Sequence, residues 1–141
     1  MQEKFIIAAD EMAMFCRLQM NVKKGLPISS SEMGVLIYIQ KHDEAITPLM
    51  ISNFFQIAKP SVTAMINELV KKGYLVKVPS ATDGRSYIVS ITEKGQELVA
   101  SAHEEYFKTI AVLEDKMGAK DFNSLIALIQ KANIILSEER K

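Results

Sequence analysis

The amino-acid sequence predicts a mainly α-helical fold that carries one two-stranded β-hairpin. Along most of the chain, apolar residues recur at steps of three and four, the spacing of helices that bury one face. Between residues 75 and 91 this spacing is lost, and two runs rich in β-branched and aromatic residues flank the turn-forming pair Asp83-Gly84. Two short helices, each with a proline near its start, come directly before the hairpin.

Composition limits the classes of protein to consider. The chain has 141 residues, of which 48% are hydrophobic and 24% charged, which suffices for one domain with a sizeable core. No apolar run is long enough to cross a bilayer, and the N-terminal MQEKFIIAADEM lacks the pattern of a signal peptide. The single cysteine, Cys16, cannot form an internal disulfide. We therefore expect a cytoplasmic protein with no membrane partner.

Charge is distributed unevenly along the chain. The 17 basic and 17 acidic residues give a formal net charge of zero. Residues 59–91 nevertheless hold five basic and two acidic residues, whereas acids outnumber bases on both sides of this segment. Such an asymmetry indicates a localised anion-binding face.

Local signals place the first two helices. Residues 3–22 have the apolar spacing of a helix, which Gly25 and Pro27 end. The serines at 29–31 offer N-caps for a second helix with one inward apolar stripe that includes Met33.

The two short helices have the spacing of a helix-turn-helix. Thr47-Pro48 combines a capping hydroxyl with a proline at the first helical position, and it starts a helix at about residues 48–55. About three residues later a second helix begins, covering residues 59–72, and Gly73 follows it as a left-handed C-terminal cap. After the hairpin, Thr92 caps a long helix that Gly118 separates from the last one.

A polar face is predicted on the helix of residues 59–72. At about 100° per residue, Val62, Ile66 and Leu69 form its apolar side. The opposite side is small and polar near the N-terminus and basic at the end. That surface suits a helix in the major groove of DNA, although an ordinary solvated face has the same composition. The predicted DNA-binding residues here are Lys59, Pro60, Ser61, Thr63, Ala64, Asn67 and Lys71.

The hairpin adds a second set of candidate DNA-binding residues. Arg85 lies at its tip, two residues after Asp83, whose carboxylate can accept a hydrogen bond from the guanidinium and orient it. A narrow minor groove attracts an inserted arginine because its negative potential is deep. Asp83, Arg85 and Ser86 are therefore predicted to contact DNA beside the helix. An exposed Asp–Arg pair without function is the alternative, but it does not explain why the pair follows a helix-turn-helix.

From about Ser30 to Gly95, the sequence resembles the MarR (multiple antibiotic resistance regulator) family of winged-helix transcription factors. The segment KPSVTAMINELVKKGYL resembles the recognition helix of that family, and DGRSYIVSITEKG resembles its wing. The resemblance implies a winged helix-turn-helix lobe at residues 30–95, with helical dimerisation segments at residues 1–25 and 96–141. It also implies a homodimer that binds a pseudo-palindromic operator in double-stranded DNA, usually represses, and is released by a small ligand, an oxidant or a metal.

Surplus apolar residues at both ends of the chain support a homodimer independently. Phe5, Ile6 and Ile7 provide more apolar surface than one helical stripe needs, and Ile134 and Ile135 do so in the last helix. Large exposed apolar patches usually mark an interface.

Three triggers are compatible with the sequence. The first is a small apolar or phenolic effector in a pocket, since methionines make adaptable walls, although methionine at helical spacing is more often core. The second is oxidation of Cys16, but no tyrosines occur at the start of the second helix, where thiol-sensing relatives carry them, so we expect a buried, inert cysteine. The third is a metal held by Cys16, His42, His103 and Glu104, against which the absence of paired ligand spacing argues. The predicted pocket residues are Met14, Phe15, Met33 and Tyr106.

The sequence also bears on two other classes of function. A winged-helix module that binds protein instead of DNA remains open, because the net positive charge of the middle segment is small. An enzyme is not expected, because no nucleophile–base pair, metal-ligand spacing or phosphate-binding glycine loop is present. No cofactor is expected either.

Overall fold

The computed structural model describes residues 2–20, 25–80 and 86–140. These residues form a mainly helical chain with one antiparallel two-stranded sheet, so the predicted fold class is confirmed. The elements are α1 (Glu3–Met20), α2 (Ser30–Lys41), α3 (Pro48–Phe55), α4 (Lys59–Lys71), β1 (Leu75–Pro79), β2 (Tyr87–Ile91), α5 (Glu93–Met117) and α6 (Ala119–Glu139).

The chain divides into two compact units. One, here called the central lobe, comprises residues 27–103, and the other, the helical unit, comprises residues 1–26 and 104–141. Among the described residues, every buried apolar side chain lies in the central lobe, from Ile28 to Ala102. The hydrophobic core that a single chain can form is therefore the core of the central lobe.

Side-chain caps fix the starts of α2 and α3. The Ser29 hydroxyl accepts a hydrogen bond from the Glu32 amide at 3.1 Å, and the Glu32 carboxylate accepts one from the Ser29 amide at 2.9 Å. This reciprocal pair explains how a carboxylate can be buried at the start of α2. The Thr47 hydroxyl accepts from the Met50 amide at 3.2 Å, directly before the proline that opens α3. The predicted helix starts are confirmed.

The link between α3 and α4 is a tight turn. Gln56 adopts a left-handed conformation with φ of 55°, and its side-chain amide donates to the Asn53 carbonyl at 2.7 Å. The Ser52 hydroxyl donates to the Ile57 carbonyl at 2.6 Å, while the Ile57 amide donates back to the Ser52 carbonyl at 3.2 Å. These local bonds hold the two helices in a helix-turn-helix.

The hairpin pairs β1 with β2 in a register that runs from Leu75 opposite Ile91 to Pro79 opposite Tyr87. Leu75 and Val89 are buried, and the Val89 amide donates to the Ile46 carbonyl at 2.9 Å. This bridge attaches the second strand to the segment before α3. Pro79 lies at the end of β1, where a residue that cannot donate to a sheet is tolerated.

Burial differs from the sequence predictions in two places. Helix α2 buries Met33, Val35, Leu36, Tyr38 and Ile39, so it is enclosed around more of its circumference than the single stripe that was predicted. Cys16 is exposed, and the prediction of a buried cysteine is wrong for this chain. The physical reason is that nothing in the described part of a single chain covers α1, so residues 2–18 are all exposed, apolar and polar alike.

The helical unit has a large exposed apolar surface. In α1, Met12 is 69% exposed, and in α6, where no residue is buried, Leu136 is 61% exposed. None of the helices in the described parts of the chain is long and apolar enough to cross a membrane.

Candidate nucleic-acid interface

Helix α4 presents the predicted polar face to solvent. Val62, Ile66 and Leu69 are buried beneath it, while Met65 is half-buried. Two lysines stand at the ends of the face, about 18 Å apart along the helix axis at 1.5 Å per residue. All seven predicted residues of the face are exposed: Lys59, Pro60, Ser61, Thr63, Ala64, Asn67 and Lys71.

Small side chains make this face accessible to a ligand backbone. Pro60, Ser61 and Ala64 extend only a short way from the helix, so that another molecule can approach the main chain closely. Thr63 and Asn67 offer a hydroxyl and an amide, which can contact phosphate oxygens or base edges. The face therefore combines close approach with directional hydrogen-bonding groups.

An open groove of about 610 Å³ runs beside the start of α4. It brings together the first turns of α3 and α4 and the second strand of the hairpin. Of the predicted DNA-binding residues, Lys59, Thr63 and Ser86 share this groove. Its remaining lining residues are Thr47, Pro48, Leu49 and Tyr87.

Sequence reasoning missed part of this groove. Thr47 was recognised only as a helix cap, and Leu49 has the apolar character of a core residue although it is 51% exposed. Tyr87 was assigned to the hairpin strand without a role. Its ring supports Lys77, whose Nζ atom lies 4.8 Å from the ring centroid. In the paired strands Lys77 lies opposite Val89. This register alone does not identify the Tyr87 ring as the cation–π partner of Lys77.

Two predicted residues of the hairpin, Asp83 and Arg85, lie outside the described residues. Their interaction and their contact with DNA stay predictions. The described part of the hairpin closes with a hydrogen bond from the Ser80 amide to the Ser86 carbonyl at 3.1 Å.

The basic end of α4 contains an ion pair. Lys72 Nζ lies 3.7 Å from a carboxylate oxygen of Glu68, and it donates to the Pro27 carbonyl at 3.3 Å. Both side chains are well exposed, so the pair adds under about 1 kcal/mol to stability. Glu68, at the margin of the exposed face, is paired with Lys72, whose positive charge offsets that of the carboxylate.

The four predicted pocket residues lie in different units. Met33 is buried in the central lobe, whereas Met14 and Phe15 are exposed on α1. Tyr106 of α5 is half-buried, and burial raises the pKa of its phenol. A pocket formed by these residues stays a prediction.

The metal hypothesis requires several ligand side chains close together. Within residues 2–20, 25–80 and 86–140, no group of three or more His, Cys, Asp or Glu side chains is placed to hold a metal ion. His42 lies at the end of α2, where a ring nitrogen, Nδ1, is 2.7 Å from the Tyr38 carbonyl and the two rings are 4.3 Å apart. Its position is explained by these local contacts.

The helix-turn-helix, the hairpin and the exposed face of α4 define a winged helix-turn-helix protein. The fold is similar to a cysteine-to-serine mutant of MarR from Escherichia coli, solved with operator DNA, with a TM-score of 0.78 and 22% identity over 92% of this chain and 95% of that one. A MarR/EmrR family regulator from Acinetobacter gives a TM-score of 0.80 with 18% identity over 98% of this chain and 99% of that one. The repressor CouR, bound to a 23-mer DNA duplex, gives a TM-score of 0.76 with 19% identity over 94% of this chain and 92% of that one.

Sequence comparison matches part of the chain to a known family. Residues 24–86 match the model of the MarR family, and the predicted resemblance to that family is confirmed. An uncharacterised HTH-type transcriptional regulator of Mycobacterium bovis is 33% identical over 76 residues, which are 54% of this chain and 52% of the relative. The regulator BilQ of Clostridioides difficile is 24% identical over 79% of both chains. The chain thus spans about half the length of the mycobacterial relatives that it matches, at 52%.

Proposed function

We propose that this protein is a sequence-specific, DNA-binding transcriptional regulator that acts as a homodimeric repressor. The observation that carries the proposal is the α4 face, on which all seven residues selected from the sequence are exposed above a buried apolar side. In the proposed complex α4 lies in the major groove, and the hairpin reaches the neighbouring minor groove with Arg85. The protein then acts in the cytoplasm, together with the DNA that it controls.

The groove beside α4 supports contact with the DNA backbone. Lys59 supplies a positive charge there, and Thr47, Thr63 and Ser86 supply hydroxyls from three different elements. Phosphate contacts of this kind fix the register of a protein on the duplex, while base edges are read by groups such as the Asn67 amide. The groove and the α4 face are therefore complementary parts of one footprint.

The apolar surface of the helical unit supports a homodimer. Exposed apolar side chains of α1 and α6 lose contact with water if a second copy covers them. A two-fold dimer presents two α4 helices to half-sites whose centres are about 10 bp apart. The E. coli MarR and CouR structures, which contain DNA, support the choice of double-stranded DNA as the partner.

Release by a small apolar or phenolic effector is part of the proposal. Met14, Phe15, Met33 and Tyr106 are the residues proposed to line its site, and the half-buried phenol of Tyr106 provides a polar group for orienting a ligand. A redox trigger at Cys16 is the alternative, and the exposure of this thiol is compatible with it.

Selection from a random duplex library, followed by anisotropy titration at two salt concentrations, tests the proposal. We expect enrichment of an inverted repeat and an association constant that falls by about 0.9 log units per log unit of salt for each neutralised phosphate. Asn67→Ala should weaken binding of the selected duplex, whereas Asn123→Ala, an exposed asparagine of α6, should not. Absence of enrichment, repeated after unfolding and refolding to remove bound ligand, would favour the protein-binding module instead.

A further inference from the structure

The C-terminal end of α4 is closed by a backbone motif. The Tyr74 amide donates to the Leu69 carbonyl at 2.9 Å, and the Gly73 amide donates to the Val70 carbonyl at 3.0 Å. Gly73 has φ of +87°, the left-handed conformation that this motif needs. The chain leaves α4 here, and the carbonyls of residues 72, 73 and 74 follow its last turn.

These three successive carbonyls all accept hydrogen bonds from the start of α5. Lys94 Nζ donates to the Lys72 carbonyl at 2.7 Å. The Thr92 hydroxyl donates to the Gly73 carbonyl at 2.6 Å, and the Thr92 amide donates to the Tyr74 carbonyl at 3.0 Å. The junction between α4 and α5 is therefore formed by two residues that are distant from α4 in sequence.

Thr92 has two roles in this junction. Its hydroxyl oxygen also accepts from the Gly95 amide at 3.0 Å, so the same atom caps α5 and attaches to the end of α4. A valine at this position would keep the shape of the side chain but could do neither. Serine would keep the hydroxyl.

Lys94 also has two contacts. Its ammonium group binds a carbonyl at the C-terminal end of α4, where the helix dipole favours a positive charge. The same Nζ atom lies 4.9 Å from the centroid of the Tyr74 ring, which is buried. The lysine is thus held between a helix end and an aromatic face.

The other end of α4 is joined to α3 through the tight turn that precedes Ala58. Its N-cap is Ala58, which makes no side-chain capping bond. The side chains of Thr92 and Lys94 hold α4 at its C-terminal end, close to Asn67 and Lys71 on the exposed face. A small rotation of α4 at this end would displace both side chains relative to a bound duplex.

We infer that Thr92 and Lys94 are positioning residues for DNA recognition, which set the direction of the α4 face without touching the bases. This inference rests on the proposed function. It assigns Thr92 and Lys94 a task beyond capping α5. The loss of either side chain should lower affinity for the selected duplex without lowering the general affinity for DNA.

The test compares Thr92→Val with Thr92→Ser, and Lys94→Met with Lys94→Arg, all as full-length chains. Affinity is measured for the selected duplex and for a scrambled duplex of the same length, over a range of salt concentrations. We expect Thr92→Val and Lys94→Met to lose affinity for the selected duplex by about three- to tenfold, the range of one or two hydrogen bonds. Affinity for the scrambled duplex and the salt slope should stay as in the wild type, and serine and arginine should restore at least half of the loss.

Two results would overturn the inference. In one, affinity for the selected duplex is unchanged in both Thr92→Val and Lys94→Met. In the other, affinity falls equally for both duplexes, or the salt slope of Lys94→Met decreases by about 0.9, the signature of a direct phosphate contact. Since Lys94 is exposed, Lys94→Met gives a folded test even if Thr92→Val does not fold. A wild-type protein that selects no duplex would instead refute the proposed function.

Discussion

Gly95 lies so close to the carbonyl oxygen of Tyr74 that a Cβ atom at position 95 would stand 2.5 Å from it. The same atom would stand 2.7 Å from Cγ1 of Ile91. One obstacle is backbone and the other is the inner part of a branched side chain, so neither can move away cheaply. Gly95 does not have a positive φ, so its backbone conformation does not require glycine. Glycine is needed here because there is no space for a Cβ atom.

Gly95→Ala is therefore expected to lower the free energy of unfolding by about 1–3 kcal/mol, the range for an overfilled core. Urea unfolding at one protein concentration measures this, since the stability of a dimer depends on concentration. Gln96→Ala changes the exposed neighbour and should stay within about 0.5 kcal/mol of the wild type. Equal stability of the Gly95→Ala and wild-type proteins would contradict the close approach to Tyr74.

The start of α2 offers a second test of stability. Three serines precede or open this helix, and the structure selects Ser29 as the cap through its exchange of hydrogen bonds with Glu32. Ser29→Ala should lower the free energy of unfolding by about 1 kcal/mol, the usual effect of losing a cap. Ser31→Ala removes an exposed hydroxyl inside the helix and should be neutral. If the two variants were equally stable, the capping box would not contribute in solution.

Local chemistry explains how much of the fold could be predicted. The caps at Ser29 and Thr47 act over three residues, so short sequence patterns contain all the information about them. The junctions that shape the site are different. The bond of Thr92 to Gly73 spans 19 residues and that of Lys94 to Lys72 spans 22, and no local pattern specifies such pairs.

Exposure was the other property that the sequence could not settle. Periodicity shows that a helix has an apolar face, but it does not show which chain covers that face. Cys16 lies in an apolar helix and was expected to be buried, yet α1 is exposed in a single chain. Leu49 is apolar and borders the groove beside α4. Burial depends on neighbours from distant segments, and these are known only once the fold is known.

A comparison of variants at Lys59 and Asn67 distinguishes phosphate contacts from base contacts. Lys59 lies in the groove at the start of α4, whereas Asn67 lies further along the exposed face. Lys59→Ala should weaken binding to selected and scrambled duplexes alike and should reduce the salt slope by about 0.9. Asn67→Ala should weaken binding to the selected duplex by about 1–3 kcal/mol with an unchanged slope. Anisotropy titrations of both variants on both duplexes measure these effects, and an exchange of the two patterns would reverse the assigned roles.

Arg85→Ala tests the sequence prediction for the hairpin tip. An arginine in a narrow minor groove is expected to contribute about 1–3 kcal/mol to binding of the selected duplex. Lys120→Ala, which removes an exposed charge from α6, controls for the change in net charge. Circular dichroism and sedimentation should show that both variants keep the fold and the oligomeric state. Unchanged affinity in Arg85→Ala would leave the hairpin tip without a role in recognition.

The substitution Leu136→Asp tests whether the helical unit forms the dimer interface. Leu136 is 61% exposed on α6, a helix with no buried residue, so a partner chain is the natural cover for its side chain. Leu136→Asp would place a charge in that interface and should raise the dimer dissociation constant by at least tenfold, since burying an unpaired charge is costly. Sedimentation equilibrium measures the constant directly. Leu49→Asp makes the same change at a 51% exposed leucine of the central lobe, and it should leave the dimer intact. If Leu49→Asp dissociates the dimer and Leu136→Asp does not, the interface lies in the central lobe, and the two α4 helices of the dimer then need a different half-site spacing.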